Sequence, residues 1–257
     1  KTIYKIFTGL KERIRMKIRQ WLILLSGILI IWSLASLGID NSIILPTPYE
    51  VLTQMTEQMQ DIKLYESLAM TFFRVLFSVL SSSVIAFFLA FLSNRFKTFA
   101  QYFEPILLFL RSIPNVTFVI LLLFWVSREI SIYIVSFLLL FPIFYQNLFE
   151  AIQDISQSWK DIFQIYPQSW FKKMQMVYLP LLRPAMASSW ITCSSLGFKV
   201  VVMAEIMTSV SLGIGANMQY DRLNVNLAGV MAWTIWLLIC GCIFNKLLKK
   251  VLERLFG

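Results

Sequence analysis

Four ionisable side chains stand inside stretches otherwise too apolar to hold them: Arg74, Arg111, Lys199 and Glu205. In hydrocarbon each costs roughly 2.5–3.5 kcal/mol on insertion scales, so each must face protein or water. Such groups serve as a polar path or gate, or as structural ion pairs between helices. Arg74, a few residues inside its stretch, could also snorkel to an interface. Lys199 and Glu205 are six residues apart, roughly 240° around a helix, so they cannot pair on one face. Both are expected to face the interior and to find partners on other segments, which requires a packed bundle. Other chemistries are poorly served. Histidine is absent, which removes the commonest general base and metal ligand. Cys193, Cys240 and Cys242 lie in apolar stretches without metal-ligand spacing and read as small buried side chains.

The elements that must hold these charges follow from hydropathy. Of 257 residues, 58% are hydrophobic and 14% charged, where a soluble domain carries about a quarter charged. Apolar runs near the length needed to cross a bilayer predict an all-α integral membrane protein. Six spans are expected, at about 21–37, 69–92, 103–126, 130–147, 184–208 and 225–245, within a membrane domain of residues 21–250. Residues 1–20 carry seven bases against Glu12 and read as a basic cytoplasmic segment. No small-residue cleavage site follows the run from Trp21 to Leu37, so that run is taken as a span rather than a signal peptide.

The net charge of +9 is distributed as membrane topology requires, which argues against a nucleic-acid partner. Seventeen bases fall in the N-terminal segment, at Arg95 and Lys97, in the loop and span start from Lys160 to Arg183, and at the C-terminus. The opposite side has Lys63, Arg128 and Arg222. That bias predicts both termini inside.

Two prolines interrupt the apolar runs. Arg111-Ser112-Ile113-Pro114 should break the hydrogen-bond ladder of the third span and Pro142 that of the fourth, either where the backbone lines a cavity or as kinked helices that merely pack. Ser81, Ser82 and Ser83 suit close helix packing. The inner loop, residues 148–178, is too patterned for a plain connection. Ile152, Ile155, Trp159, Ile162 and Phe163 recur at helical spacing, Pro167 breaks the run, and Ser169 precedes a basic amphipathic turn. Two short helices across the cytoplasmic mouth are expected, with Trp170 and Phe171 presented to a partner, or else to the lipid surface.

Several motifs, in order and at suitable spacing, resemble the permease subunits of bacterial ABC importers in the nitrate/taurine/sulfonate group of the binding-protein-dependent family. They are Leu45-Pro46-Thr47-Pro48 with Val51-Leu52, Thr71-Phe72-Phe73-Arg74-Val75-Leu76, Leu110-Arg111-Ser112-Ile113-Pro114, and Leu179-Pro180 followed by Ala204-Glu205. Counting back from Leu179-Pro180 sets the family's coupling motif at Asp161-Ile162-Phe163, with Pro167 in its glycine position; Glu150-Ala151 lies too far upstream. The motif is degenerate.

The resemblance implies a type I importer permease fold in the bacterial plasma membrane. It implies two permease copies in a homodimer, two cytoplasmic ATPase subunits and an extracytoplasmic binding protein. ATP and Mg would sit on the ATPases, because the chain has no cofactor and no G-x-x-x-x-G-K-[ST] loop of its own. Asp161, Ile162, Phe163, Pro167, Gln168, Ser169 and Trp170 would contact the ATPase. Arg111, Pro114, Phe198, Lys199 and Glu205 would form the path or gate. Lys199 and Arg111 suit an anion such as a sulfonate, and Phe198 suits a heteroaromatic such as a thiamine precursor. The competing classes are a secondary transporter or channel, which would use a midplane acid for ion coupling, and a membrane-embedded enzyme, for which no acid/base cluster is evident.

Overall fold

The computed structural model describes Gln20 and residues 23–256, so the basic segment 1–20 lies almost wholly outside the described residues. The described chain is built from helices and divides into two units, one ending at Gln60 and taking in Asp221–Ala232, the other comprising Asp61–Tyr220 and the chain from Trp233.

In the smaller unit the apolar helix α1, Ile23–Ile39, ends at Asp40, whose φ of 48° is left-handed. The loop that follows is pinned back on α1: Trp32 Nε1 donates to Pro46 O at 2.9 Å, and Ser36 Oγ to Leu45 O at 2.9 Å. Helix α2, Pro48–Gln60, starts with a reciprocal cap. The Thr47 amide donates to Glu50 Oε2 at 2.7 Å, and the Glu50 amide to Thr47 Oγ1 at 3.2 Å. Pro48 occupies the first helical position, where its missing N–H costs nothing. Hydrogen bonds from Ser42 and Thr47 hold the half-buried Glu50 carboxyl below its usual pKa.

The larger unit carries the long helices. Asp61 caps α3, Ile62–Arg95, by accepting from the Lys63 amide at 2.9 Å. Helix α4, Lys97–Ser112, and helix α5, Asn115–Leu122, meet at a bend of 92°. Ile113, before proline, is held extended, and Pro114 has no N–H to continue the ladder. The third expected span is thus two helices. Helix α6, Arg128–Ser158, by contrast runs unbroken through Pro142. Of the two expected outcomes the packed helix is the one found, since one missing hydrogen bond is tolerated where neighbouring helices pack against the chain. Helix α6 also absorbs residues 148–158, expected as part of the inner loop, because their apolar spacing contains no breaker.

Beyond Trp159 come two short helices, α7, Lys160–Ile165, and α8, Trp170–Lys173. A widened turn, Met174–Tyr178, leads into α9, Leu179–Thr208. In that turn the Leu179 amide reaches back five residues to Met174 O. It lies directly before Pro180, which cannot sustain the ordinary four-residue ladder. Helix α10 is Ile214–Leu223 and α11 is Leu227–Phe256.

Among the described residues, Ile62–Arg95, Arg128–Ile155, Phe171–Thr208 and Leu227–Leu255 are long and apolar enough to cross a membrane. The bent α4–α5 pair makes a fifth if taken as one span, and Ile23–Ile39 is a shorter apolar helix. The core lies where α3, α6 and α9 pack together, with Val75, Val79, Leu140, Phe144, Cys193 and Val201 buried in it. Gly197 permits their close approach. A Cβ at that position would stand 3.3 Å from Val75 Cγ1 and 3.4 Å from Val79 Cγ2.

Gly197→Leu should destabilise the purified protein by about 1–3 kcal/mol through overpacking, with Gly197→Ala much milder; a thermal-unfolding comparison in detergent checks the ranking. For Glu50 the folded carboxyl has the lower pKa, so its contribution is present above the usual carboxylate pKa and is lost as pH falls through the folded value. Exchange protection at the start of α2, relative to the intrinsic rate at each pH, should therefore fall on acidification, and Glu50→Gln should remove most of that pH dependence.

Candidate functional site

Of the four membrane-depth charges, two pair with each other in the interior and two are exposed. Arg74, on α3, and Glu205, in the last turn of α9, are both fully buried (0% exposed) and pair with Nη1 to Oε1 at 2.6 Å. The second guanidinium nitrogen, Nη2, reaches Glu129 Oε2 at 2.6 Å; Glu129 sits in the first turn of α6 with its side chain 44% exposed. Arg74 Nη1 also donates to Leu212 O at 2.8 Å. Thr71, one turn before Arg74, is within 2.9 and 3.1 Å of the two Glu205 oxygens and donates its hydroxyl hydrogen there. It accepts from the Ile214 amide at 2.9 Å. The Gly215 amide donates to Glu205 Oε2 at 2.8 Å.

The loop from Ser209 to Gly215 is folded onto this carboxylate. Ser209 turns the chain with a φ of 50°, and Gly213 has a φ of 139°. A Cβ at Gly213 would lie 2.7 Å from the Glu205 carboxylate, and one at Gly215 would lie 2.5 Å from Val202 O. Glycine is required at both positions for the backbone to come this near. Asn217 secures the far side of the loop, donating to Gly213 O at 2.8 Å and to Ser67 Oγ at 2.7 Å. Arg128 Nη1 donates to Ser209 O at 3.1 Å.

The cluster therefore ties α3, the start of α6, the end of α9 and the following loop at one level of the bundle. A buried ion pair is weak evidence of net stabilisation, but removing one member leaves an uncompensated charge, at a cost of about 3–5 kcal/mol.

The remaining expected path residues do not join it. Lys199 is exposed on this chain, not turned inward as expected. The six-residue offset that buries Glu205 carries Lys199 to another face. Arg111 is also exposed and donates through Nη2 to Pro142 O at 2.9 Å. Pro114 sits at the α4–α5 bend. Phe198 is 3% exposed and packs edge-on against Phe244 at 5.6 Å, as core rather than lining. Sequence reasoning missed Thr71, Glu129, Gly213 and Gly215, and left Arg74 without its partner. One signal was available: Arg74 is the only charge in its apolar run, and Glu205 is the only acid in its own.

The segment between α6 and α9 is a second candidate site. Phe163 is half-buried, with its ring 6.0 Å from Trp159 and 6.2 Å from Tyr178. Lys173 Nζ lies 4.5 Å over the Phe163 ring, a cation–π contact that fixes α7 against α8. Pro167, Gln168 and Ser169 are exposed, and Ser169 O accepts from the Lys173 amide at 3.1 Å. Ile162, Ile165, Tyr166 and Phe171 are exposed as well. Of the expected contact residues, the side chains of Asp161 and Trp170 lie outside the described residues. Ile165 and Tyr166 extend the exposed apolar strip beyond what the motif implied.

These features define a multi-pass helical membrane protein with an ordered, partly exposed element between two long spans. Residues 82–256 match the family described as the binding-protein-dependent transport system inner membrane component, and the chain belongs to that family. It is 23% identical over 239 residues to the aliphatic sulfonates transport permease protein SsuC of Bacillus subtilis, covering 90% of this chain and 86% of that one. An ABC transporter permease protein of Methanocaldococcus jannaschii is likewise 23% identical, over 243 residues, with 88% and 87% covered. The chain is thus an ABC transporter permease of the inner, plasma membrane. Its family is one of transport components rather than enzymes, whose members work with an ATPase and a substrate-binding protein.

Arg74→Met should lower the stability of the purified protein by about 3–5 kcal/mol, and adding Glu205→Leu should restore part of the loss. Denaturation midpoints of the two single variants and the double variant check this, and strictly additive losses would contradict coupling.

Proposed function

We propose that this chain is the permease subunit of an ATP-driven uptake system for a small anionic solute of the sulfonate class. Two copies form the pathway, with both termini cytoplasmic. Two ATPase subunits, carrying ATP and Mg, bind residues 148–178 from the cytoplasm, and an extracytoplasmic binding protein delivers the solute. The observation that carries the reading is the exposed strip Ile162, Ile165, Tyr166 and Phe171, on an element braced from behind by Phe163 and Lys173. An apolar surface on a fixed helix pair suits docking into a groove. Nucleotide-driven closure of the ATPases would be transmitted through the widened turn into α9, and so to the path between copies.

The sulfonate class is supported by the aliphatic sulfonate transport for which the Bacillus relative is named and by the exposed cations Arg111, on α4, and Lys199, on α9, which would attract an anion. The heteroaromatic alternative drew on Phe198, whose ring is buried against Phe244. A secondary transporter would need Glu205 for ion coupling, and that carboxylate is committed to Arg74.

The test is reconstitution in vesicles with the partner ATPase and binding protein. Uptake of an alkanesulfonate should require ATP, cease with a hydrolysis-dead ATPase, and fall at least tenfold with Phe163→Asp, with parallel loss of ATPase co-purification. Uptake that persists with the dead ATPase would overturn the ATP-driven reading. ATP-dependent systems that ignore sulfonates would overturn the substrate class alone.

A further inference from the structure

Where the end of α3 faces the approach to α9, a cavity of about 560 Å³ opens on the protein surface. It is amphipathic along its length. Phe88, Phe91 and Leu92 of α3 line one side, Phe171 and Gln175 line it from the approach to α9, and Arg95 supplies the charge. Among the described lining residues there is no carboxylate. Phe88 precedes Arg95 by seven residues, so the apolar wall extends about 10 Å along the helix axis from the charge into the span. The Arg95 guanidinium lies 5.6 Å from the centroid of the Phe96 ring, another lining residue, which stations it at the helix end. Lys172, on the turn that carries Phe171, is also exposed.

We infer that this cavity is a binding site for one anionic phospholipid of the cytoplasmic leaflet, with phosphate at Arg95 and an acyl chain against Phe88, Phe91 and Leu92. A cation at one end of an apolar surface cavity complements a molecule with an anion at one end of a hydrocarbon chain. Basic pockets between spans on the cytoplasmic side recognise anionic headgroups in this way. A water-soluble partner is the poorer occupant, because contact with Phe88 would require it to enter the apolar zone of α3. The site shares Phe171 with the exposed coupling strip, so a bound lipid would brace the widened turn from the membrane side. The cytoplasmic placement rests on the topology in the proposed function. The lipid measurement uses this chain without its ATPase, and its failure is separate from failure of ATP-driven uptake.

The experiment is native mass spectrometry of the full chain, delipidated in detergent and titrated with phosphatidylglycerol or phosphatidylcholine. Phosphatidylglycerol should be retained preferentially, one molecule most tightly. Arg95→Gln should weaken that retention about fivefold, and Arg95→Lys should largely restore it. Arg254→Gln, in the last turn of α11, should change it little. Equal binding of the two lipids would overturn the site, as would equal losses in Arg95→Gln and Arg254→Gln, which indicate diffuse surface attraction. Release of the retained phosphatidylglycerol on adding the partner ATPase would assign the surface to that protein instead.

Discussion

A guanidinium and a carboxylate without exposed surface must find each other before the apolar helices around them can close. Arg74 and Glu205 are in that position, and the geometry of the larger unit near them follows from the need to satisfy both. The carboxylate accepts from Arg74, Thr71 and the Gly215 amide; the guanidinium donates to two carboxylates and to Leu212 O. The backbone amide can arrive only because the loop after α9 comes within what would be clash distance of any side chain at residues 213 and 215. The ion pair therefore dictates the glycines and the left-handed turn at Ser209. It also fixes the meeting of α3 and α9 with the start of α6, where Glu129 completes the set. Below this level the three helices pack through small and branched residues, with Gly197 against Val75 and Val79.

Helix α9 joins two regions of opposite chemistry. One end is closed by the polar cluster. The other is approached through the widened turn and α8, next to an apolar strip that this chain leaves uncovered. A permease must keep part of its bundle rigid while passing motion from a partner into the rest. A hydrogen-bonded charge cluster resists deformation because separating its members exposes uncompensated charge. A braced helix pair with exposed apolar side chains instead gains by being covered. The wide turn before Pro180 lies between the two, where the helical ladder is already irregular.

The apolar runs, the break at Pro114 and the helical character of the inner segment were legible from residue types and short spacings, because transfer energy and proline geometry are local. The same reasoning could not choose at Pro142 between a cavity-lining break and a packed helix, and packing sustained the helix. It placed Lys199 inward from depth alone, although the angular offset from Glu205 sends it to another face. It also read Phe198 as a lining group, since an aromatic's role depends on what lies beside it, here Phe244.

Taken alone, the sequence determined a helical membrane protein, its family, and the requirement that Arg74 and Glu205 be satisfied by other segments. Tertiary structure decided that they satisfy each other, across 131 residues of chain, and that Thr71, Glu129 and two backbone amides complete the cluster. The reason is physical. The cost of a buried charge is a property of one residue and its neighbours in the chain, whereas the partner that offsets it is chosen by how distant helices pack.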